Sequence, residues 1–180
     1  KLESNPFILS KTRHSWMRVA LTGTPGTGKT SVSKRLEEFE VVHLTEYMKK
    51  GGIGEQKAEL EVRPEKLKER VEQDFADSED IVFEGHLSHH LDVDYCIVLR
   101  CEPEELRRRL QDRPYDRQKI EENVESEVID IILQESVHNQ ENVIEIDTTD
   151  NTVGETVERV QQAIENMETG YGEIDWTGSL

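Results

Sequence analysis

Eight residues constrain this chain more than any others: Gly23-Thr24-Pro25-Gly26-Thr27-Gly28-Lys29-Thr30. They satisfy the pattern G-x-x-x-x-G-K-[ST] in the context it needs. The β-branched run Arg18–Thr22 precedes it, and a segment with Val32, Leu36 and Phe39 at helical spacing follows. The glycines let the backbone curl until successive N–H groups point at phosphate oxygens, and a helix starting near Lys29 adds the positive end of its dipole. Lys29 has the reach for the β- and γ-phosphates, the Thr30 hydroxyl suits Mg²⁺, and Ser31 falls near the α-phosphate. Gly26 and Gly28 supply close backbone approach. The cofactors this pattern implies are a purine nucleoside triphosphate, ATP above all, and Mg²⁺.

The loop predicts the architecture around it. Arg18–Thr22, Val41–Leu44, Ile81–Glu84, Tyr95–Arg100 and Val143–Asp147 read as strands, short and without strict alternation, as befits strands covered on both faces. Helical patterns separate them. Pro64 suits a first helical position ahead of Leu67, Val71 and Phe75, and Pro103 does the same before Leu106 and Leu110. Ile120, Val124, Val128, Ile131 and Ile132 form one longer stripe, and Val153, Val157, Val160, Ile164 and Met167 the last. The alternation predicts an α/β fold with a five-stranded parallel sheet flanked by helices. We expect residues 17–168 to form one domain and 169–180 a tail with Ile174 and Trp176 docked on it. Residues 1–16 read as an expression scar or loose extension without the apolar stretch of a signal peptide.

Carboxylates outnumber cations 39 to 22, a net charge of −17. Such a chain repels phosphate backbones, which argues against direct DNA binding. The acidity favours cationic protein partners or serves solubility in a salty cytoplasm. No apolar run reaches membrane-spanning length. The two cysteines, Cys96 and Cys101, lie in or beside an apolar strand and read as reduced core thiols. A soluble, cytoplasmic monomer is the expectation.

Further polar residues stand near strand ends. Glu84 closes the run Ile81-Val82-Phe83, where P-loop proteins place the acid that holds Mg²⁺ or its water, though it also reads as a carboxylate at a helix start. His86, two residues on, suits a water-orienting or proton-accepting role, or simply a polar loop. No Cys or acid with ligand spacing joins His86, His89 and His90, which sets a zinc reading aside. Arg107, Arg108, Arg109, Arg113 and Arg117 concentrate positive charge. Arg109 and Arg113, four apart, read as one helix face over the triphosphate; the run also reads as a solvated set paired with Glu104, Glu105 and Asp112. No Arg or Lys lies between Glu84 and Arg100, which leaves only Arg63 and Arg70 as upstream candidates for an acceptor-phosphate clamp.

From Met17 to about Met167 the chain resembles the adenylate kinase isoenzyme 6 family, nuclear and archaeal ATPases of small ribosomal subunit maturation. Gly23–Ser31, Glu84-Gly85-His86, Arg113-Pro114-Tyr115 and Lys119–Glu127 carry the resemblance. The family usually has Asp where Glu84 stands. The resemblance implies a nucleoside-monophosphate-kinase fold, with a monophosphate-binding segment at 43–63 and a small lid at 112–122. It implies ATP contact by Arg113, and a catalytic set of Lys29, Glu84, His86 and Arg113. It further implies adenylate kinase activity on AMP, ATPase activity, and a basic small-subunit ribosomal protein as partner. The thin acceptor clamp tilts the expectation toward water as a competing acceptor. A sugar-acid or shikimate-type kinase is the third reading, disfavoured by the same lack of cations.

Overall fold

The computed structural model describes residues 17–179, apart from 54 and 57–59; the extension at 1–16 and Gly54 lie outside the described residues. In chain order the elements are β1 (Arg18–Thr22), α1 (Lys29–Ser33), β2 (Glu40–His43), α2 (Leu44–Gly51), β3 (Glu55–Gln56), β4 (Leu60–Glu61), α3 (Pro64–Asp74) and β5 (Ile81–Glu84). Then come β6 (Tyr95–Arg100), α4 (Pro103–Gln111), α5 (Arg117–Val128), α6 (Ile131–Asn139), β7 (Val143–Asp147) and α7 (Val153–Asn166). The order across the main sheet is β2-β5-β1-β6-β7, with every pair parallel, while β3 and β4 form a separate antiparallel pair. The five-stranded parallel sheet expected from the sequence is therefore present.

Alternate residues of each strand serve opposite faces of the sheet. Val19 and Leu21 of β1, with Ile97, Leu99, Ile144 and Ile146, pack against Val32 and Leu36 and against Val157 and Val160 of α7. Ala20, Cys96, Val98 and Val143 face the other way, toward Leu133 of α6. Ile81 and Phe83 of β5 meet Leu44 and Met48 of α2 and Leu67 and Val71 of α3. Cys101, Leu106, Leu110, Ile120, Val124 and Val128 tie α4 to α5, and Trp176 packs onto them. Both cysteines are buried free thiols, and burial raises each to about 12. No helix among the described residues is long and apolar enough to cross a membrane.

The starts of helices follow local rules: Pro64 and Pro103 occupy first-turn positions, and Thr152 and Glu155 form a reciprocal capping box. Several expectations need correction. The second strand ends at His43, and Leu44 instead opens α2, whose buried side consists of only Leu44 and Met48. The helix after the glycine loop stops at Ser33; the turn bonds Arg35 N–H to Val32 O and Leu36 N–H to Ser33 O bring Leu36 into the core. The stripe from Ile120 to Ile132 is two helices, broken where Asp130 takes a left-handed φ of 57° and Ile131 turns outward at 39% exposure. Aspartate tolerates that conformation, and Arg100 holds its carboxylate there. Met167 is also left-handed and exposed, ending α7 rather than extending its apolar face.

Candidate phosphoryl-transfer site

Strand order reverses at β1, with β5 on one side and β6 on the other, so a crevice opens beyond their carboxyl ends. The glycine loop leaves β1 into that crevice. Gly23 has φ +135°, and a Cβ there would stand 2.3 Å from Leu99 O; at Gly26, φ +101°, it would stand 2.7 Å from Leu106 Cδ1. Only glycine fits either position. Thr27 Oγ1 donates to Thr24 O at 2.9 Å, and Thr148 Oγ1 donates to Thr27 O at 3.1 Å, pinning the loop to the chain leaving β7. Because α1 is only five residues long, the anion-binding capacity lies mainly in the N–H groups of the loop itself.

Lys29 is buried within the loop, and its ammonium donates to Gly23 O at 2.7 Å and Thr24 O at 2.9 Å. Burial pushes its pKa down to about 8; Glu84 and Glu127 oppose that shift, and Arg113 adds to it.

Glu84 lies at the end of β5, in register with Leu21 of β1 and His43 of β2. Its side chain is 9% exposed, and Oε1 accepts from Thr30 Oγ1 at 3.2 Å while Oε2 lies 2.7 Å from His43 Nδ1. Neighbouring ligands of an octahedral magnesium ion, each 2.0–2.1 Å from it, stand about 2.9 Å apart. The Thr30 hydroxyl and Glu84 carboxylate therefore fit that ion with a shift of a few tenths of an ångström.

Gly26, Gly28, Lys29, Thr30, Glu84, His86 and Arg113 all line one cleft of about 130 Å³, with Thr45 and Tyr115 completing its wall. That volume is below the roughly 300–1,000 Å³ of a whole-ligand pocket and suits the phosphate end of a nucleotide. Ser31 is exposed on α1 and does not line this cleft.

The arginine cluster divides. The chain leaves α4 at Asp112, so Arg113 is not on a helix face with Arg109; it enters the cleft, its N–H bonded to Leu110 O at 3.0 Å. Arg109 instead turns to the loop after β7, donating to Thr148 O at 2.7 Å and Thr149 O at 2.9 Å and pairing with Glu105. Arg107 is held by Glu104 and Glu121, and Arg108 by Glu105. A larger open groove of about 730 Å³ between α4 and α5 is lined by that paired Arg107 and by no glycine-loop residue.

On the acceptor side, Arg70 donates to Asp74 at 2.9 Å, the carboxylate that also takes the Tyr47 hydroxyl at 2.8 Å, and Arg63 precedes α3. Neither lines the cleft. The site includes two residues whose part the sequence did not announce. His43 reaches Glu84 because parallel pairing aligns the ends of β2 and β5. Glu127 of α5 reaches Thr24 from 103 residues away.

A family model described as an AAA domain matches residues 19–130. A Thermococcus gammatolerans protein named "Putative adenylate kinase" is 45% identical over 166 residues, covering 89% of this chain and 93% of that protein. An Archaeoglobus fulgidus protein of the same name is 42% identical over 173 residues, covering 91% and 94%. Among solved structures, a shikimate kinase from Acinetobacter baumannii in complex with shikimate superposes with a TM-score of 0.57 at 15% identity, covering 84% of this chain and 94% of that one. At that identity the likeness speaks for the fold alone.

Proposed function

This chain belongs to the AAA domain family, alongside those archaeal relatives, and on that premise we propose that it is an ATP-dependent nucleoside-monophosphate kinase with AMP as acceptor. The observation that carries this reading is the convergence of Lys29, the Thr30–Glu84 pair, His86 and Arg113 on one cleft beyond β1 and β5. Lys29 exchanges its two loop carbonyls for β- and γ-phosphate oxygens. Arg113 neutralises charge spreading onto the transferring oxygens. Thr30 and Glu84 would hold magnesium, which supplies neutralisation across the β- and γ-phosphates. His43 fixes the far oxygen of Glu84, and His86 orients the acceptor or takes its proton. The bond from the γ-phosphorus to the β–γ bridging oxygen breaks, a bond to an acceptor oxygen forms, and ADP leaves with the electron pair.

One feature supports a second acceptor. Arg63 and Arg70 lie off the cleft, and Arg70 is committed to Asp74, so water competes with AMP and ATP hydrolysis accompanies kinase turnover. The net charge of −17 and the isoenzyme 6 resemblance extend this reading to a basic small-subunit ribosomal protein, bound differently in the ATP and ADP states. ADP and phosphate production, measured with ATP alone and then with each nucleoside monophosphate, tests the reading. AMP-dependent ADP formation above a hydrolysis background supports it. No turnover under any condition refutes it.

A further inference from the structure

Among the described residues, and apart from the cleft, one cluster of ligating side chains has the geometry of a site. His89 and His90 form the end of a single helical turn, Ser88–His90, packed against α6. Their rings lie 4.1 Å apart, centroid to centroid. The acid that sequence spacing lacks comes from 46 residues away: Glu135 Oε2 lies 3.0 Å from His89 Nε2 and 3.8 Å from His90 Nε2. One ligand atom from each residue falls within 4.8 Å of the others. Ligands about 2.0–2.1 Å from a tetrahedral ion stand about 3.3 Å from one another, and the two measured separations bracket that value.

We propose that His89, His90 and Glu135 bind a divalent transition metal of the zinc type, in a site separate from the magnesium ligands of the cleft.

One outer partner matches such a role: His89 Nδ1 is 3.0 Å from Thr22 Oγ1, which can accept the ring proton and leave Nε2 to ligate. Asn139 Nδ2, 3.2 Å from His90 Nδ1, is a donor, so ligation through His90 Nε2 requires that amide to turn its oxygen toward the ring. Gln140 donates to His89 O at 2.7 Å and Leu91 O at 2.9 Å, fastening the turn to the end of α6. The side chain of His89 is 1% exposed and that of Glu135 48%, so one flank is built into the protein while the other admits an ion and a water as fourth ligand. Two imidazoles with one carboxylate favour zinc, cobalt or nickel over magnesium or calcium. Thr22 immediately precedes Gly23, so an ion here braces the strand that launches the glycine loop.

The test is titration of the metal-stripped full chain with Co²⁺, read by its visible absorption, followed by displacement with Zn²⁺. We expect one ion per chain, bands of four-coordinate nitrogen and oxygen ligation, and no displacement by millimolar Mg²⁺. His90→Ala and Glu135→Gln, both at partly exposed positions, are each expected to weaken binding at least tenfold. X-ray absorption of the zinc-loaded wild type, which needs no variant, is expected to report two imidazoles on the metal. Ligation by oxygen alone, or binding unchanged in both variants, overturns the proposal.

Discussion

Thr24 and Glu127 join the glycine loop to the helix behind the Arg113 segment: the buried hydroxyl donates to the buried carboxylate at 2.5 Å. The other oxygen of Glu127 accepts from Arg100 Nε at 2.7 Å and Cys101 N–H at 3.1 Å. Arg100, 1% exposed, also meets Asp130 and Glu145, and Glu145 takes the N–H groups of Glu173 and Ile174 in the tail. A continuous polar chain therefore runs from the loop through α5 and β7 to the tail.

Breaking this chain at its centre leaves the Arg100 Nε–H, the Cys101 N–H and the Thr24 hydroxyl without their buried carboxylate acceptor. Glu127→Ala removes one of Arg100's three carboxylates and the acceptor for Thr24, with an expected loss of about 3–5 kcal/mol. Thr24→Val removes a single hydroxyl and leaves one carboxylate oxygen short of a partner, at about 1–3 kcal/mol. Urea unfolding of both variants measures this. Equal stability of Glu127→Ala and wild type would show that the network contributes nothing to the fold.

The buried ammonium of Lys29 predicts a proton linkage. Free Lys29 loses its proton as pH rises through about 8, against 10.5 for an unperturbed lysine. Phosphate oxygens favour the charged form and raise that pKa again. Above pH 8, triphosphate binding therefore takes up a proton, and affinity falls as pH increases; below it this linkage vanishes. Calorimetric binding near pH 9 in buffers of different ionisation enthalpy is expected to show uptake of close to one proton. Zero uptake there would contradict the account of Lys29.

His43 acts on the cleft through Glu84. His43→Ala is expected to raise the Mg²⁺ concentration for half-maximal turnover or to lower kcat by about 10–100-fold, as loss of an outer partner to a metal-binding carboxylate does. ATP affinity without Mg²⁺ should change little, since the His43 side chain acts on Glu84 and not on the glycine loop. A magnesium profile superimposable on wild type removes His43 from the site.

The acidity of the chain makes it salt-responsive. With 39 carboxylates against 22 cations, screening relieves mutual repulsion, and the melting temperature is expected to rise from about 0.1 M to 1 M KCl. A flat or falling curve would mean that pairs such as Arg107–Glu121 and Arg18–Glu72 outweigh that repulsion.

The sheet was legible because its central strands β5, β1 and β6 are buried on both faces and read as uninterrupted apolar runs such as Tyr95–Leu99. The glycine loop, Glu84 and Arg113 were legible because local order places them at strand or helix ends. What escaped depends on distant contacts. The α5–α6 break follows from Arg100 holding Asp130 across 30 residues. The separation of Arg109 from Arg113 depends on where α4 ends and on the carbonyls of Thr148 and Thr149. His43, Glu127 and Glu135 meet their partners through tertiary packing alone, so no spacing rule finds them.

The most direct measurement is transfer of labelled γ-phosphate from ATP to AMP by wild type and by Lys29→Ala, with circular dichroism confirming that the variant is folded. Labelled ADP is expected from wild type, with a rate lower by about 10²–10³ in the variant, because a cation aimed at the transferring oxygens is gone. Near-wild-type transfer by a well-folded Lys29→Ala protein would contradict the assignment of this cleft as the site of phosphoryl transfer.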